Sequence, residues 1–157
     1  MNETNPGIAA NVRASEFFIA FAVGPCARCA QLMPLIALGA PVGHERLDDG
    51  DWLAVSEETL LHDIESLAPE ASAVVQALFP QFRPTPAPDQ RWLNHCGSCG
   101  CAQDDYWLHC EPDAPFQPLS AEAADRIDLI ACHTPLEAQA QGMSEGIAHF
   151  GAMRRVG

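Results

Sequence analysis

Residues 17–40 read FFIAFAVGPCARCAQLMPLIALGA, two apolar segments with a segment between them that contains two cysteines. The apolar runs 17–23 and 35–38 are short and rich in residues that favour β-strands. Between them lies a Cys-x-x-Cys pair, Cys26 and Cys29. We therefore predict two strands joined by a tight turn that carries the first cysteine pair.

A second stretch, residues 92–109, has a related arrangement and reads WLNHCGSCGCAQDDYWLH. It contains another Cys-x-x-Cys pair, Cys96 and Cys99. We predict a strand that enters this pair from Trp92 and a second strand that leaves it through Tyr106–His109. The second pair is therefore also expected at the tip of a β-hairpin.

The two pairs together predict a metal site. Two thiolates separated by two residues can face one ion across a turn, and two such turns supply the four sulfurs that tetrahedral zinc prefers. We predict that Cys26, Cys29, Cys96 and Cys99 bind one zinc ion, the single cofactor expected. Residues 30–95 separate the pairs, whereas about 15–20 residues are usual, so the zinc ribbon is predicted to be split by an insertion.

Several other donors near the second pair stay open as substitutes for one of the four ligands. These are His95, Cys101, His109 and Cys110. Neighbouring residues on a strand point to opposite faces, which ranks His95 and the His109–Cys110 pair below the four paired cysteines. Cys132 follows an apolar run and is predicted to lie in the core.

The insertion is predicted to be helical over residues 56–80, because Ser56 can cap a helix and apolar residues recur at helical spacing from Leu60 to Leu67. Four prolines make residues 80–89 an extended connection that leads to the second pair.

Shorter elements are predicted on either side of these segments: a strand over residues 52–55, a turn capped by Ser120, a strand over residues 126–132 and a helix within residues 136–155. The expected fold class is α+β, a single domain over residues 1–157. It consists of a split zinc ribbon, with hairpins at residues 16–40 and 91–110, and a helical insertion.

Composition limits the possible functions. The 157 residues include 8 Lys plus Arg and 21 Asp plus Glu, and the net charge of −13 disfavours direct nucleic-acid binding. The longest apolar run, residues 17–23, is shorter than the ~20 residues that a membrane helix needs. Seven cysteines, an odd number, do not suit a fully paired disulfide scaffold. We expect a cytoplasmic protein.

The residues around both pairs resemble a known group of proteins. The runs Cys26–Cys29 and Met33–Leu38, together with Asn94–Gly100 and Gln103–His109, are similar to those of largely uncharacterised bacterial zinc-binding proteins. That group pairs a Cys-x-x-Cys hairpin with an Asn-His-Cys-x-x-Cys-Gly hairpin. The resemblance implies zinc binding by the paired cysteines and implies little about biological role.

Four thiolates close the coordination shell of zinc, so the expected metal is structural and the expected function is non-catalytic, through a protein partner. One alternative is a thioredoxin-like oxidoreductase with Cys26 as nucleophile and Cys29 as resolving thiol, since Pro34 follows an apolar strand and the first pair. A second alternative is an acidic mimic of DNA.

Two other sets of residues receive a structural interpretation. The acidic residues Asp48, Asp49, Asp51, Asp104 and Asp105 are predicted to be turn residues and not catalytic carboxylates. The three tryptophans are predicted to pack in the core or against the cysteine turns, although tryptophan is also common at binding hot spots: Trp52, Trp92 and Trp107.

Overall fold

The apolar run that begins at Phe17 forms a strand, as predicted, and this strand lies in the interior of a large sheet. The computed structural model describes residues 9–156. Their strands are β1 (Val12–Ala14), β2 (Phe17–Pro25), β3 (Leu32–Ala40), β4 (Glu45–Asp48), β5 (Asp51–Ala54), β6 (Thr59–Leu67), β7 (Phe82–Pro84), β8 (Trp92–Asn94), β9 (Asp128–Cys132), β10 (Leu136–Glu145) and β11 (Arg154–Val156). The helices are α1 (Pro69–Leu78), α2 (Asp105–His109) and α3 (Ala121–Ala124), with a 3-10 turn at Phe150–Ala152.

The strands are joined in one sheet in the order β11-β9-β2-β3-β6-β10-β1-β4-β5. Strand β6 pairs with β3 near its start and with β8 further along, at Ile64↔Trp92. Strand β7 pairs with β8. All these pairs are antiparallel except β9–β11. The mixture of a dominant sheet with three helices in residues 9–156 agrees with the predicted α+β class.

Both faces of the central strands are buried. Along β2, Phe17 and Ile19 belong to one apolar cluster, which also contains Val75 of α1. The alternate residues Phe18 and Ala20 belong to a second cluster, to which α2 and α3 contribute. Because each residue of β2 faces one core or the other, the strand is a continuous apolar run without the polar alternation of a half-exposed strand.

The predicted helical insertion at residues 56–80 is wrong in its first half. Residues Thr59–Leu67 form β6, which pairs with β3 and β10, and only Pro69–Leu78 is helical. The apolar residues of β6 have helical spacing, but they are divided between the two cores, with Leu60 in one and Leu61 in the other. Burial on both faces of a sheet removes the period-2 signal on which a strand prediction depends.

Two other predictions are corrected. Tyr106–His109 belongs to helix α2 and not to a strand, because the Asp104 carboxylate caps the helix by accepting a hydrogen bond from the Tyr106 N–H at 2.9 Å. The helix predicted within residues 136–155 is wrong at its start, where residues 136–145 form β10. Buried Leu136, Ala138 and Ala140 alternate there with more exposed Glu and Gln residues, which is the period of a strand. The Pro-rich connection at residues 80–89 includes the short strand β7.

The remaining short elements agree with the predictions. Strand β5 at residues 51–54 is shifted by one residue from the predicted 52–55, and β9 at residues 128–132 lies within the predicted 126–132. Ser120 caps α3, since its hydroxyl oxygen accepts a hydrogen bond from the Ala123 N–H at 3.1 Å.

Candidate metal centre

The first cysteine pair lies in the turn between β2 and β3. The Ala30 N–H donates to the Cys26 carbonyl at 2.9 Å, and the Cys26 N–H donates to the Gln31 carbonyl at 2.8 Å. The Arg28 N–H points at the Cys26 sulfur at 3.3 Å. Ala30 has a φ of +66°, a left-handed conformation that reverses the chain after Cys29.

The second cysteine pair has the same local contacts. The Gly100 N–H donates to the Cys96 carbonyl at 2.9 Å, and the Cys96 N–H donates to the Cys101 carbonyl at 2.9 Å. The Ser98 N–H points at the Cys96 sulfur at 3.4 Å. Gly100 has a φ of +78°, so it occupies the position that Ala30 has in the first turn. The two segments thus form matching turns, which we call the first and second cysteine turns.

The fold brings the four predicted ligands together. The Cys26 and Cys99 sulfurs are 3.7 Å apart, and so are the Cys29 and Cys96 sulfurs. All four sulfurs lie within 4.8 Å of one another. Zn–S bonds of about 2.3 Å in a tetrahedron place two sulfurs about 3.8 Å apart, so the donor set and its dimensions fit a tetrahedral thiolate site. The four thiols are free, without a disulfide.

The paired sulfurs differ in their surroundings. The N–H groups of Cys29 and Arg28 lower the pKa of the Cys26 thiol to about 6, although its burial acts in the opposite direction. The N–H groups of Cys99 and Ser98 lower the pKa of Cys96 in the same way. At Cys99 the Cys101 N–H lowers the pKa, but burial and the neighbouring thiols outweigh it and raise the pKa to about 12.

Gln103 connects the two cysteine turns. Its side-chain oxygen accepts from the Ala27 N–H at 2.9 Å, in the first turn. Its side-chain nitrogen donates to the Cys26 sulfur at 3.3 Å and to the Cys101 carbonyl at 3.0 Å. The side chain is buried. Gln103 therefore orients one ligand and holds the turns together, a role that its position after the second pair did not reveal.

Asn94 places the second turn beside the central sheet. Its side-chain oxygen accepts from the Ile36 N–H at 2.9 Å, and its nitrogen donates to the Ile36 carbonyl at 3.0 Å. This buried amide replaces the backbone pairing that a neighbouring strand would provide to β3. An asparagine directly before His95 and the second pair was visible in the sequence, but its partner was not.

A polar network ties α2 to β6, and Asp105 is its buried member. The Asp105 carboxylate accepts from the Asp63 N–H at 2.8 Å, and the Asp63 carboxylate accepts from Arg91 at 2.9 Å. Burial raises the pKa of Asp105 to about 7, against the effect of the Asp63 N–H. His109 stacks on His62 at 4.9 Å between ring centroids, and burial lowers the pKa of His109 to about 3.

The competing donors do not join the four sulfurs. The His95 Nδ1 lies 2.9 Å from the Leu93 carbonyl, and the Cys101 sulfur contacts the Ala102 carbonyl. His109 is stacked between His62 and Phe116, Cys110 is exposed, and Cys132 is buried in the core. In the part of the chain that the structure describes, the four paired cysteines form the one group with metal-ligand spacing.

The tryptophans are not alike. Trp92 is buried, as predicted. Trp52 is half-buried, and the Arg13 guanidinium lies over its ring at 4.1 Å. Trp107 is 59% exposed on α2, which corrects the prediction that it packs inside.

Comparison of the chain with models of protein families, with curated proteins and with solved structures found no match. No helix within residues 9–156 is long and apolar enough to cross a membrane.

Proposed function

We propose that the protein binds one zinc ion per chain through Cys26, Cys29, Cys96 and Cys99. The observation that carries the proposal is the approach of the four sulfurs to within 4.8 Å, with the dimensions of a tetrahedral site. Thiolates favour zinc over magnesium or calcium, which prefer oxygen ligands. The resemblance to bacterial zinc-binding proteins supports the same assignment.

The proposed metal is structural and not catalytic. Four sulfur ligands leave no coordination position for a water molecule or a substrate. The site joins the β2–β3 hairpin to the segment that leads into α2, two parts of the chain far apart in sequence. The sulfurs of Cys26 and Cys96 also belong to the apolar cluster under this face of the sheet. Zinc in this position would stabilise a split ribbon.

We further propose that the protein acts through a protein partner. Its net charge of −13 without a basic segment disfavours nucleic acid as the ligand. The thioredoxin-like alternative requires a helix that begins at the first pair, whereas β3 follows Cys29. The DNA-mimic alternative requires unpaired carboxylates that cluster together, whereas acidic side chains are spread across the sheet from β5, at Asp51, to β9, at Asp128, and Asp128 is paired with Arg154 at 2.7 Å.

The metal proposal is tested by elemental analysis and native mass spectrometry of protein purified without added metal, with thiol titration before and after chelation. We expect one zinc per chain and four additional reactive thiols after chelation. The variant Cys29→Ser should lose zinc. The matched control Cys110→Ser, which removes an exposed cysteine outside the site, should retain it.

Two outcomes would overturn the proposal. A metal-free protein with a reversible Cys26–Cys29 disulfide would identify a redox protein. Loss of zinc from Cys110→Ser with full retention in Cys29→Ser would place the ion elsewhere.

A further inference from the structure

Helix α2 presents two large aromatic side chains to solvent. Tyr106 is 53% exposed and Trp107 is 59% exposed, and their rings meet edge to face at 6.0 Å. The opposite face of the helix is buried through Asp105 and Leu108. Neighbouring exposed aromatic side chains of this size commonly mark interaction surfaces, and Trp and Tyr are enriched among binding hot spots.

Carboxylates stand at both ends of the helix that carries this aromatic pair. Asp104 is the exposed N-cap of α2, and the half-buried Glu111 lies two residues after the last residue of the helix. Cys110 follows α2 and is the neighbour of Glu111 in the sequence. Burial raises the pKa of this thiol, and the charges of Asp63, Asp105, Asp104 and Glu111 raise it further. The surface formed by Asp104, Tyr106, Trp107 and Glu111, which we call the α2 surface, is therefore both aromatic and acidic.

Elsewhere in this protein, a tryptophan ring beside a carboxylate already holds a guanidinium. Arg13 lies over the Trp52 ring at 4.1 Å and donates from its Nε to the Glu45 carboxylate at 2.6 Å. A tryptophan face and a carboxylate thus hold one guanidinium between them. In the part of the chain that the structure covers, no arginine lies over the ring of Tyr106 or Trp107. The α2 surface has the aromatic face and the carboxylates but no guanidinium.

We infer that the α2 surface docks an arginine-containing segment of a partner protein, with a guanidinium stacked on Trp107 and paired with the carboxylate of Asp104 or Glu111. The inference deepens the proposed function and rests on its protein-partner role. Charge favours this occupant, because the chain carries a net charge of −13 and the α2 surface itself contributes Asp104 and Glu111. The planar guanidinium stacks on an aromatic ring more effectively than an ammonium group does.

The test uses the zinc-loaded full chain and a capped peptide of alternating arginine and glycine as the probe, at physiological salt. Titration calorimetry gives the Kd, and a peptide with lysine in place of arginine controls for charge alone. We expect the Trp107→Ala variant to bind the arginine peptide about fivefold more weakly, the loss of one exposed cation–π contact. Glu111→Gln should weaken binding about twofold, as expected for an exposed ion pair.

Two matched controls separate the α2 surface from general attraction to an acidic protein. Asp49→Asn removes one negative charge at the β4–β5 turn, and Trp52→Ala removes an aromatic ring already covered by Arg13. Both should leave the Kd unchanged. Zinc content and circular dichroism of each variant verify that the fold is retained.

The inference is overturned if Trp107→Ala binds as tightly as the wild type, if Asp49→Asn loses as much affinity as Glu111→Gln, or if the lysine peptide binds as tightly as the arginine peptide. An absence of binding to protein that holds one zinc per chain would also overturn it, and the metal proposal would stand. Protein that lacks zinc would instead refute the metal proposal.

Discussion

The two cysteine turns have the same local hydrogen bonds but are held in place by different means. The first turn connects β2 and β3, two nine-residue strands that pair from Phe18↔Gly39 to Pro25↔Leu32. The second follows the three-residue strand β8 and is closed by a single bridge between His95 and Ala102. Backbone pairing is therefore long beside the first turn and short beside the second, where the Gln103 N–H donates to the Asn94 carbonyl.

Hydrogen bonds from three side chains hold the second turn in place, where backbone pairing is short. Asn94 bonds both backbone groups of Ile36, Gln103 bonds the first turn, and Asp105 bonds the Asp63 N–H. We therefore expect the turn placed by long strands to stay ordered without a metal, and the turn placed by three polar side chains to depend on the proposed zinc as well. Two cysteine turns with the same local hydrogen bonds can thus differ in how far a bound metal would organise them.

The largest expected effect is the loss of order in the second turn when zinc is removed. Structural zinc contributes on the order of 10 kcal/mol in small zinc-binding peptides, and binding energy of this kind is folding energy. After chelation we expect hydrogen exchange to accelerate strongly over residues 94–104 and little over residues 17–24 and 33–40. Mass spectrometry of proteolytic peptides measures this difference.

Re-addition of zinc should restore protection, and Cys110→Ser should behave like the wild type. Equal loss of protection in both turns, or loss in neither, would contradict the comparison.

The next effect comes from Asp105, whose raised pKa makes stability depend on pH. Its pKa is about 7 in the folded protein, against an ordinary value of 3.8, so the native state holds a proton that the unfolded state has released between about pH 4 and 7. Its contribution to the free energy of unfolding therefore falls as pH rises through this window, by about 4 kcal/mol in total. Asp105→Asn keeps the acceptor for the Asp63 N–H and removes this titration.

We expect Asp105→Asn to match the wild type near pH 4 and to exceed its stability at pH 8, as measured by urea unfolding at saturating zinc. The thiols titrate in both proteins, so their contribution cancels when one free energy of unfolding is subtracted from the other. A difference in free energy of unfolding that is constant across this range, or that grows toward low pH, would refute the raised pKa of Asp105.

A smaller effect is expected at Gln103. Replacement by Met keeps an unbranched side chain of similar size but removes three hydrogen bonds, one of them to the Cys26 sulfur. Groups that orient metal ligands typically change affinity by about 10–100-fold when they are replaced. We expect a loss of zinc affinity in this range, measured by competition with a chromophoric chelator.

The control is Gln31→Ala, because the exposed Gln31 contacts the first turn through its backbone, with the carbonyl accepting from the Cys26 N–H and the N–H facing the Cys29 thiol. Equal zinc affinity in Gln103→Met and Gln31→Ala would show that the bridge between the turns is dispensable.

The smallest effect compares the corresponding residues Ala30 and Gly100. Both have positive φ, a conformation that costs an L-residue about 1 kcal/mol and costs glycine little. We expect Ala30→Gly to stabilise the protein by about 1 kcal/mol and Gly100→Ala to destabilise it by a similar amount. A Cβ at position 100 would meet no atom within 4 Å, so only the backbone term changes.

Urea unfolding at a fixed concentration of free zinc measures both variants. If both substitutions changed the free energy of unfolding in the same direction, positions 30 and 100 would not be equivalent.

The sequence predicted the elements whose signals are local. The Cys-x-x-Cys spacing requires a tight turn, and the flanking apolar runs of the first pair are too short for anything but strands, so β2, β3 and the turn between them could be predicted. The same reasoning failed for β6, because the apolar spacing from Leu60 to Leu67 suits a helix as well as a strand buried on both faces. It also failed for α2, where the capping role of Asp104 was taken for turn chemistry.

By itself, the sequence determined which residues can serve as ligands and the shape of each cysteine turn, because both depend on residues a few positions apart. Only the tertiary structure decided that the two turns meet, since residues 30–95 fold between them and return through β8. It also decided which polar side chains support the site. Asn94, Gln103 and Asp105 have partners distant in the chain, and only packing brings these partners within hydrogen-bonding distance.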